Sequence, residues 1–340
     1  MAIGRSATKR INMKLLQLSM FYNTVGGIAT YTKNIQMVLT DNIISNMVYA
    51  LDTFQSRRQS IRNFVKMLRY RPDVIIVHNS RLLYLISLLF KLLAKQTRLY
   101  YFVHTPTHNK SRGFRRAYSL VGDMIINATA RKIVGVCWFV LAGHKAPDFK
   151  KAVLYPNMPP VATRNMYRKP NTELRLISLA NFVYSEKVAG VLELIDYFNT
   201  FTKLNSMQNI SLGLAGTGQF RNLVIARIDA ASNRKIALLG SVKLEDVYNY
   251  DIIVHDSYLD AFPNVIMEGL AMKIPILLRP VGGSDEVLDE HNSYQFTTYN
   301  EFEKSLSILI HDLECGNAKL FSNAAEKYAW NISTIIELTK

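Results

Sequence analysis

Two carboxylates, Asp260 and Glu268, stand with seven residues between them in the stretch Asp256 to Leu278 of this 340-residue chain. Ahead of them, Ile252 to Val254 is an apolar run suited to a buried strand. Pro263 suits the first turn of a helix, where its missing N–H costs nothing, so the spacing predicts a helix from about Pro263 to Met272. Pro275 and the apolar residues up to Leu278 then open the next strand. This puts Asp260 in the loop at the positive end of the helix and Glu268 inside it, more than one turn further on. The amides of Asn264 and Val265 point out of the same end. Such a tip is an anion site flanked by two hydrogen-bond acceptors. It suits a diphosphate with a hydroxyl-rich group on each side, which is the shape of a nucleotide-sugar.

The elements that must position this tip alternate along the chain. A first strand near Lys14 to Met20 leads through the pair Gly26-Gly27 into a helix of about Ile28 to Leu39. A glycine pair between strand and helix is either a tight turn or a loop whose backbone approaches a phosphate closely. A strand near Met47 to Leu51, a basic helix through Arg57, Arg58, Arg62, Lys66 and Arg69, and a buried strand at Val74 to Val77 follow. A helix from about Arg81 to Lys95 then feeds strand Leu99 to Val103, the alternation of a parallel sheet with crossover helices. His104 falls at the carboxyl end of that strand, where open α/β sheets place ligands, although a histidine there is as readily structural. His104 and His108 have the spacing of a metal pair, but Pro106 between them argues against the helix such a pair needs. Strand Val153 to Tyr155 ends in prolines and a polar stretch to Thr172, the best linker in the chain. The alternation then resumes with strand Leu174 to Leu179, a helix of about Val188 to Phe201 and strand Ile210 to Leu214.

On these residues the chain resembles retaining glycosyltransferase family 4, whose signature is an E-x7-E segment followed by G-G-x-x-E. Here the signature reads Ser257-x-x-Asp260-Ala261-Phe262-Pro263, then Glu268-Gly269, then Gly282-Gly283-x-x-Glu286, so the first acid is an Asp. The resemblance implies that Asp260 contacts the donor sugar, Glu268 the ribose hydroxyls, and the amides of Asn264 and Val265 the diphosphate. It implies that Gly26 and Gly27 reach the donor diphosphate, and that His104 lies near the donor sugar as a hydrogen-bond donor. Ser185-Glu186-Lys187 resembles the E-K-G element whose lysine binds the diphosphate, but the usual preceding arginine is absent from Ala180-Asn181-Phe182. Ala215-Gly216-Thr217-Gly218 resembles the family's G-x-G after a strand, and Leu239 to Val242 stands where its backbone meets the base. The fold implied is α/β of the GT-B type, with two Rossmann-like domains, 1–155 on the acceptor side and 156–340 on the nucleotide-sugar side, facing across a cleft. A terminal helix around Tyr328-Ala329-Trp330 is expected to return to the first domain. The activity implied is retaining transfer of a sugar, UDP-linked, to a glycan or lipid-linked acceptor, as in bacterial-type surface polysaccharide synthesis. The alternatives are a non-catalytic binding subunit, motivated by Asn181 and Asp260, and a nucleotide-sugar epimerase, for which no matching set of cleft carboxylates is visible.

Charge is unevenly divided. Residues 1–155 hold 24 Lys and Arg against 5 Asp and no Glu, a balance of +19, whereas residues 156–340 hold 17 against 21, a balance of −4. A basic half of this kind fits an anionic membrane surface, a lipid diphosphate or nucleic acid, and no nucleic-acid module is present to favour the last. In the segment Arg112 to Tyr118, Arg112, Arg115 and Arg116 lie beside Phe114 and Tyr118, a composition suited to headgroups and the bilayer interface or to a solvated basic face. No D-x-D triplet occurs, so a metal bridging the diphosphate is not indicated, and no cofactor is expected. No apolar run reaches the roughly 20 residues of a membrane span, no leader pattern is present, and Cys137 and Cys315 form no metal or disulfide spacing. The expected setting is a reducing cytosol, peripheral at the inner face of the membrane.

Overall fold

The computed structural model describes residues 11–20, 22, 27–50, 62, 65–67, 69–93, 95–105, 113–144, 152–154, 173–205, 209–288 and 291–319. The chain forms two compact units that part between Met158 and Pro159. The linker expected up to Thr172 and the terminal helix around Trp330 lie outside the described residues.

In the first unit, six parallel strands form one sheet in the order β2-β1-β3-β4-β5-β6. They are β1 (Ile11–Ser19), β2 (Ile43–Ala50), β3 (Val74–His78), β4 (Arg98–Val103), β5 (Lys132–Gly135) and β6 (Ala152–Leu154). All five residues of β3 and five of the six in β4 are buried, as continuous apolar runs must be when helices cover both faces of a parallel sheet. The helices with described bounds are α1 (Gly27–Asn42), α2 (Arg81–Leu93), α3 (Phe114–Thr129) and the short α4 (Trp138–Gly143). Because β1 is followed by β2 on one side and β3 on the other, the sheet has its topological switch point between β1 and β3.

The second unit repeats the plan with order β12-β11-β10-β7-β8-β9, all parallel. Its strands are β7 (Leu174–Leu179), β8 (Ile210–Ala215), β9 (Ile236–Gly240), β10 (Ile252–His255), β11 (Ile276–Leu278) and β12 (Tyr294–Gln295). Its helices are α5 (Ser185–Leu204), α6 (Arg221–Ala231), α7 (Leu244–Val247), α8 (Asn264–Met272) and α9 (Tyr299–Glu314), with a 3₁₀ turn at Ser284–Glu286. Leu176, Leu212, Ile252 and Val254 from the strands meet Phe198, Phe201 and Phe302 from α5 and α9 in one core. The switch point here falls between β7 and β10. The loops that leave these two strands at their carboxyl ends are the ones that carry the signature residues.

Candidate active site

The loop after β7 runs into α5, and the loop after β10 runs into α8, so the switch point brings two helix N-termini together. Lys187 is the third residue of α5, in the first turn, where the helix dipole disfavours a cation. Its partner is the other loop: Lys187 Nζ donates to Asp260 Oδ2 at 2.5 Å, across a sequence separation of 73 residues. The pair is partly shielded, with about one fifth of each side chain exposed. The lysine and the first signature acid are thus one ion pair, which no local sequence pattern announces.

Pro263 has extended backbone and is the N-cap of α8, so the helix begins at Asn264, one residue later than the proline rule suggested. No side chain caps this end. The Ile266 N–H turns back to the Pro263 carbonyl at 3.2 Å. Val265 is buried and Asn264 half-buried. Glu268, the fifth residue of α8, is half-buried, and burial pushes its carboxyl above the usual range. No hydrogen bond or ion pair joins that carboxyl to another described residue. A desolvated carboxylate without a protein partner, next to an uncapped helix end, is suited to accept hydrogen bonds from a ligand.

Beneath the ion pair lies His255, the last residue of β10, buried and with Nε2 unpartnered. Burial lowers its pKa to about 4, with Asp260 opposing and Lys187 reinforcing the shift, so the ring is neutral at physiological pH. A buried ion network anchors the base of the same loop. Arg279, directly after β11, donates from Nε to Asp256 Oδ1 at 2.6 Å, from Nη1 to the Thr297 carbonyl at 2.7 Å, and from Nη2 to Glu193. Tyr258 donates to Glu193 at 2.5 Å and stacks under the guanidinium, 4.4 Å from its carbon to the ring centroid. Burial raises the Asp256 carboxyl against the pull of Arg279.

Two glycines let backbones meet where this loop needs them. A Cβ on Gly190 of α5 would stand 2.3 Å from the Asp256 carbonyl oxygen. Gly282, at φ +61°, would put one 2.0 Å from the Asp260 carbonyl oxygen. Gly283 N–H closes the contact by donating to the Ala261 carbonyl at 2.8 Å. The G-G-x-x-E sequel therefore supports the Asp260 loop from below, while Glu286 itself is exposed. Asn181, where an arginine is usual in the resembled family, turns on its own loop and accepts from the Val183 N–H at 3.0 Å. The Gly216 to Gly218 segment packs on that loop, with Phe182 N–H donating to the Thr217 carbonyl. Among the described residues no cluster of His, Cys, Asp and Glu could hold a metal ion.

The structure thus brings Asp260, Lys187, Asn264, Val265 and Glu268 to one end of the second unit. His104 and Gly27 belong to the first unit, at the carboxyl ends of its strands. Gly27 opens α1 and is exposed, whereas Gly26, His108 and Arg112 lie outside the described residues. His104 is buried, and its Nε2 meets His78 Nδ1 at 3.0 Å. Sequence reasoning missed His78, Gln17, His255 and the Arg279 network. The available signal was a polar side chain interrupting or ending an apolar strand, as Gln17 does in β1 and Arg279 does after β11.

Two Rossmann-like units, each an all-parallel six-stranded sheet, make up the GT-B glycosyltransferase fold. Residues 162–328 match the family described as glycosyl transferases, group 1. Among solved structures it resembles HepE of Anabaena in complex with UDP and glucose, at TM-score 0.70 and 16% identity over 96% of this chain and 98% of that one. A glycosyltransferase from Rickettsia africae gives TM-score 0.69 and 17% identity, over 97% and 98% of the two chains. Sucrose-phosphate synthase from Thermosynechococcus elongatus gives 0.66 and 14%, over 96% and 98%. At these identities the likeness to each structure is one of fold. No curated protein matches the chain in sequence.

Proposed function

We propose that the chain is a retaining glycosyltransferase that moves a sugar from a UDP-linked donor to a glycan or lipid-linked acceptor. The observation that carries this reading is the juxtaposition of the Lys187–Asp260 pair, the uncapped α8 terminus and the unpartnered Glu268. HepE has been captured with UDP, with UDP and glucose, and with UDP-glucose, and the same class of ligand suits this site. The unit holding β7 to β12 serves as the donor side and the unit holding β1 to β6 as the acceptor side.

In this reading the α8 amides and Lys187 hold the diphosphate, Glu268 accepts hydrogen bonds from the ribose hydroxyls, and Asp260 accepts one from the transferring sugar. The lysine is kept in place by Asp260 before the donor arrives, so it is oriented in advance of binding. As the sugar–phosphate bond breaks, negative charge grows on the departing diphosphate. A cation about 4 Å away contributes roughly 4 kcal/mol of attraction at an effective dielectric of about 20. His104 belongs to the sugar's surroundings.

The test is donor hydrolysis and transfer with UDP-glucose, alongside calorimetry with UDP. Glu268→Ala should weaken UDP binding by roughly 1–3 kcal/mol, the cost of unpaired ribose hydroxyls. Unchanged UDP affinity in that variant would remove Glu268 from the donor site. The turned-in side chain of Asn181 favours one rival, a binding subunit short of a cation. Such a subunit would bind UDP and release no free sugar from UDP-glucose.

For the acceptor side we propose contact with an anionic bilayer. The support is the +19 balance of residues 1–155 together with apolar side chains left exposed on α2 and α3, among them Leu82, Leu89, Leu92, Val121 and Met124. No helix among the described residues is long and apolar enough to cross a membrane.

A further inference from the structure

Four polar side chains cross the first sheet on one diagonal. Asn46 of β2 is level with Leu15 of β1, two residues below Gln17, which is level with Ile76 of β3. His78, two residues above Ile76, is level with Phe102 of β4, and His104 stands two residues beyond Phe102. A step of two residues per strand keeps all four side chains on the same face of the sheet. They are joined in that order: Gln17 Nε2 to Asn46 Oδ1 at 3.5 Å, His78 Nε2 to Gln17 Oε1 at 3.1 Å, and His78 Nδ1 to His104 Nε2 at 3.0 Å. Asn46 Nδ2 reaches the main-chain carbonyl of Gln36 on α1 at 3.5 Å, which anchors the row at its lower end.

That anchor sets a direction, because a carbonyl oxygen only accepts. Asn46 must offer its amide N–H₂ to Gln36 and its oxygen to Gln17. Gln17 then offers its own oxygen to His78, which must carry its proton on Nε2. A neutral imidazole protonated on Nε2 is an acceptor at Nδ1, so the proton between the two histidines belongs to His104 Nε2. Neutrality follows from burial, which holds His78 well below its usual pKa and brings His104 down to about 3, His78 being lowered further by His104. Tyr31 of α1 meets the His104 ring edge-on, 4.6 Å between centroids, and fixes its plane.

We propose that Asn46, Gln17 and His78 are positioning residues that lock His104 in the Nε2–H tautomer, so that it presents a lone pair on Nδ1 to the ligand. This rests on the donor-binding reading above and reverses the role of hydrogen-bond donor that the family resemblance implies for His104. The partner His104 selects is a hydroxyl, which can donate; an ether, carbonyl or carboxylate oxygen in the same place finds two acceptors facing each other.

The test begins with the wild-type protein labelled with ¹⁵N-histidine, one of seven histidines being assigned to position 104 by its loss in His104→Phe. Ring ¹⁵N shifts are expected to show a protonated Nε2 and a bare Nδ1 at neutral pH. In Gln17→Met the row loses its acceptor, the second tautomer of His104 becomes populated, and UDP-glucose binds about fivefold more weakly, the factor for one neutral hydrogen bond. UDP alone, which lacks the sugar, should bind wild type and Gln17→Met equally. A wild-type His104 protonated on Nδ1, or a tautomer unmoved by Gln17→Met, overturns the acceptor role even in a protein that binds UDP-glucose. The expected tautomer in a protein that binds neither UDP nor UDP-glucose overturns the donor reading, and the ligand role of His104 with it.

Discussion

Lys187 carries a positive charge at the positive end of α5, and Asp260 is the group that offsets it. Removing either partner therefore leaves the other in a poor place, and single variants alone do not separate structure from chemistry. A double-mutant cycle does. Lys187→Met is expected to lower kcat/KM for donor cleavage by about 10²–10³, the effect of losing one preorganised charge at a leaving group. Lys187→Met with Asp260→Asn should recover stability, because no charge is stranded, while activity stays low. Recovery of activity in the double variant would mean that the pair only braces two loops. Glu268 offers a second test, through pH. Burial raises its carboxyl above the unfolded value, so the folded state binds that proton more tightly and loses stability as pH rises through the interval above about 4.5. Glu268→Gln should be more stable than wild type at pH 7 and equal to it below about pH 4, by denaturant titration at each pH. A gain that persists at low pH would contradict burial of the charge as its cause. The variant should at the same time bind UDP more weakly, since a site that stores an unpaired carboxylate trades stability for ligand.

At the scale of elements, the two loops that leave β7 and β10 are held by contacts that tolerate no side chain, and Gly282 is the sharper case. Its φ of +61° and its contact with the Asp260 carbonyl make two separate demands. Gly316, at φ +72° with open space around its Cβ position, makes only the first. Gly316→Ala should cost about 1–2 kcal/mol of backbone strain, whereas Gly282→Ala should cost more and also displace Asp260, lowering activity. Equal melting temperatures and full activity in both variants would show that Gly282 serves only its own turn. Such elements differ in how far the sequence reveals them. The runs at Val74, Leu174 and Ile252 are strands as expected, because a strand buried on both faces is written as consecutive apolar residues. The expected helix start at Val188 is three residues late, since the charged turn Ser185-Glu186-Lys187 is helical yet carries no apolar period. Asp260 and Glu268 are legible because their spacing along one loop and one helix is local chemistry. Gln17, His78 and Asn46, 29 to 61 residues apart, become one row only when the strand order and register are known. Arg279, Asp256 and Glu193 stay hidden for the same reason.

For the molecule as a whole, the division of charge is the feature that no single site requires. A balance of +19 over residues 1–155 against −4 over the remainder costs self-repulsion within the first part, and an anionic partner relieves it. In the bilayer reading proposed above, the exposed apolar residues select among the anionic partners. On α2, Leu82, Leu89 and Leu92 share one helical face, and Leu92 is 78% exposed. On α3, which is tied to α2 by the bidentate Arg81–Asp123 pair, Val121 and Met124 are open to solvent, Met124 at 69%. A free phosphate or a soluble glycan would be attracted by the charge and gain nothing from these side chains, whereas a bilayer interface satisfies both. The two contributions separate by salt. Each cation near an anionic surface is worth about 1 kcal/mol and fades over a Debye length of about 8 Å at physiological salt, whereas burial of a Leu or Met side chain, up to about 1.5–3 kcal/mol, does not depend on salt. Co-sedimentation with vesicles containing phosphatidylserine should therefore show strong binding at low salt and a weaker residual at high salt. Leu89→Ser with Leu92→Ser and Met124→Ser should abolish the residual while leaving most of the low-salt binding, and UDP affinity should be unchanged. Replacing Arg112, Arg115 and Arg116 by Gln should do the opposite. If wild-type protein ignores these vesicles at low salt, the basic half answers to another partner and the bilayer reading is wrong.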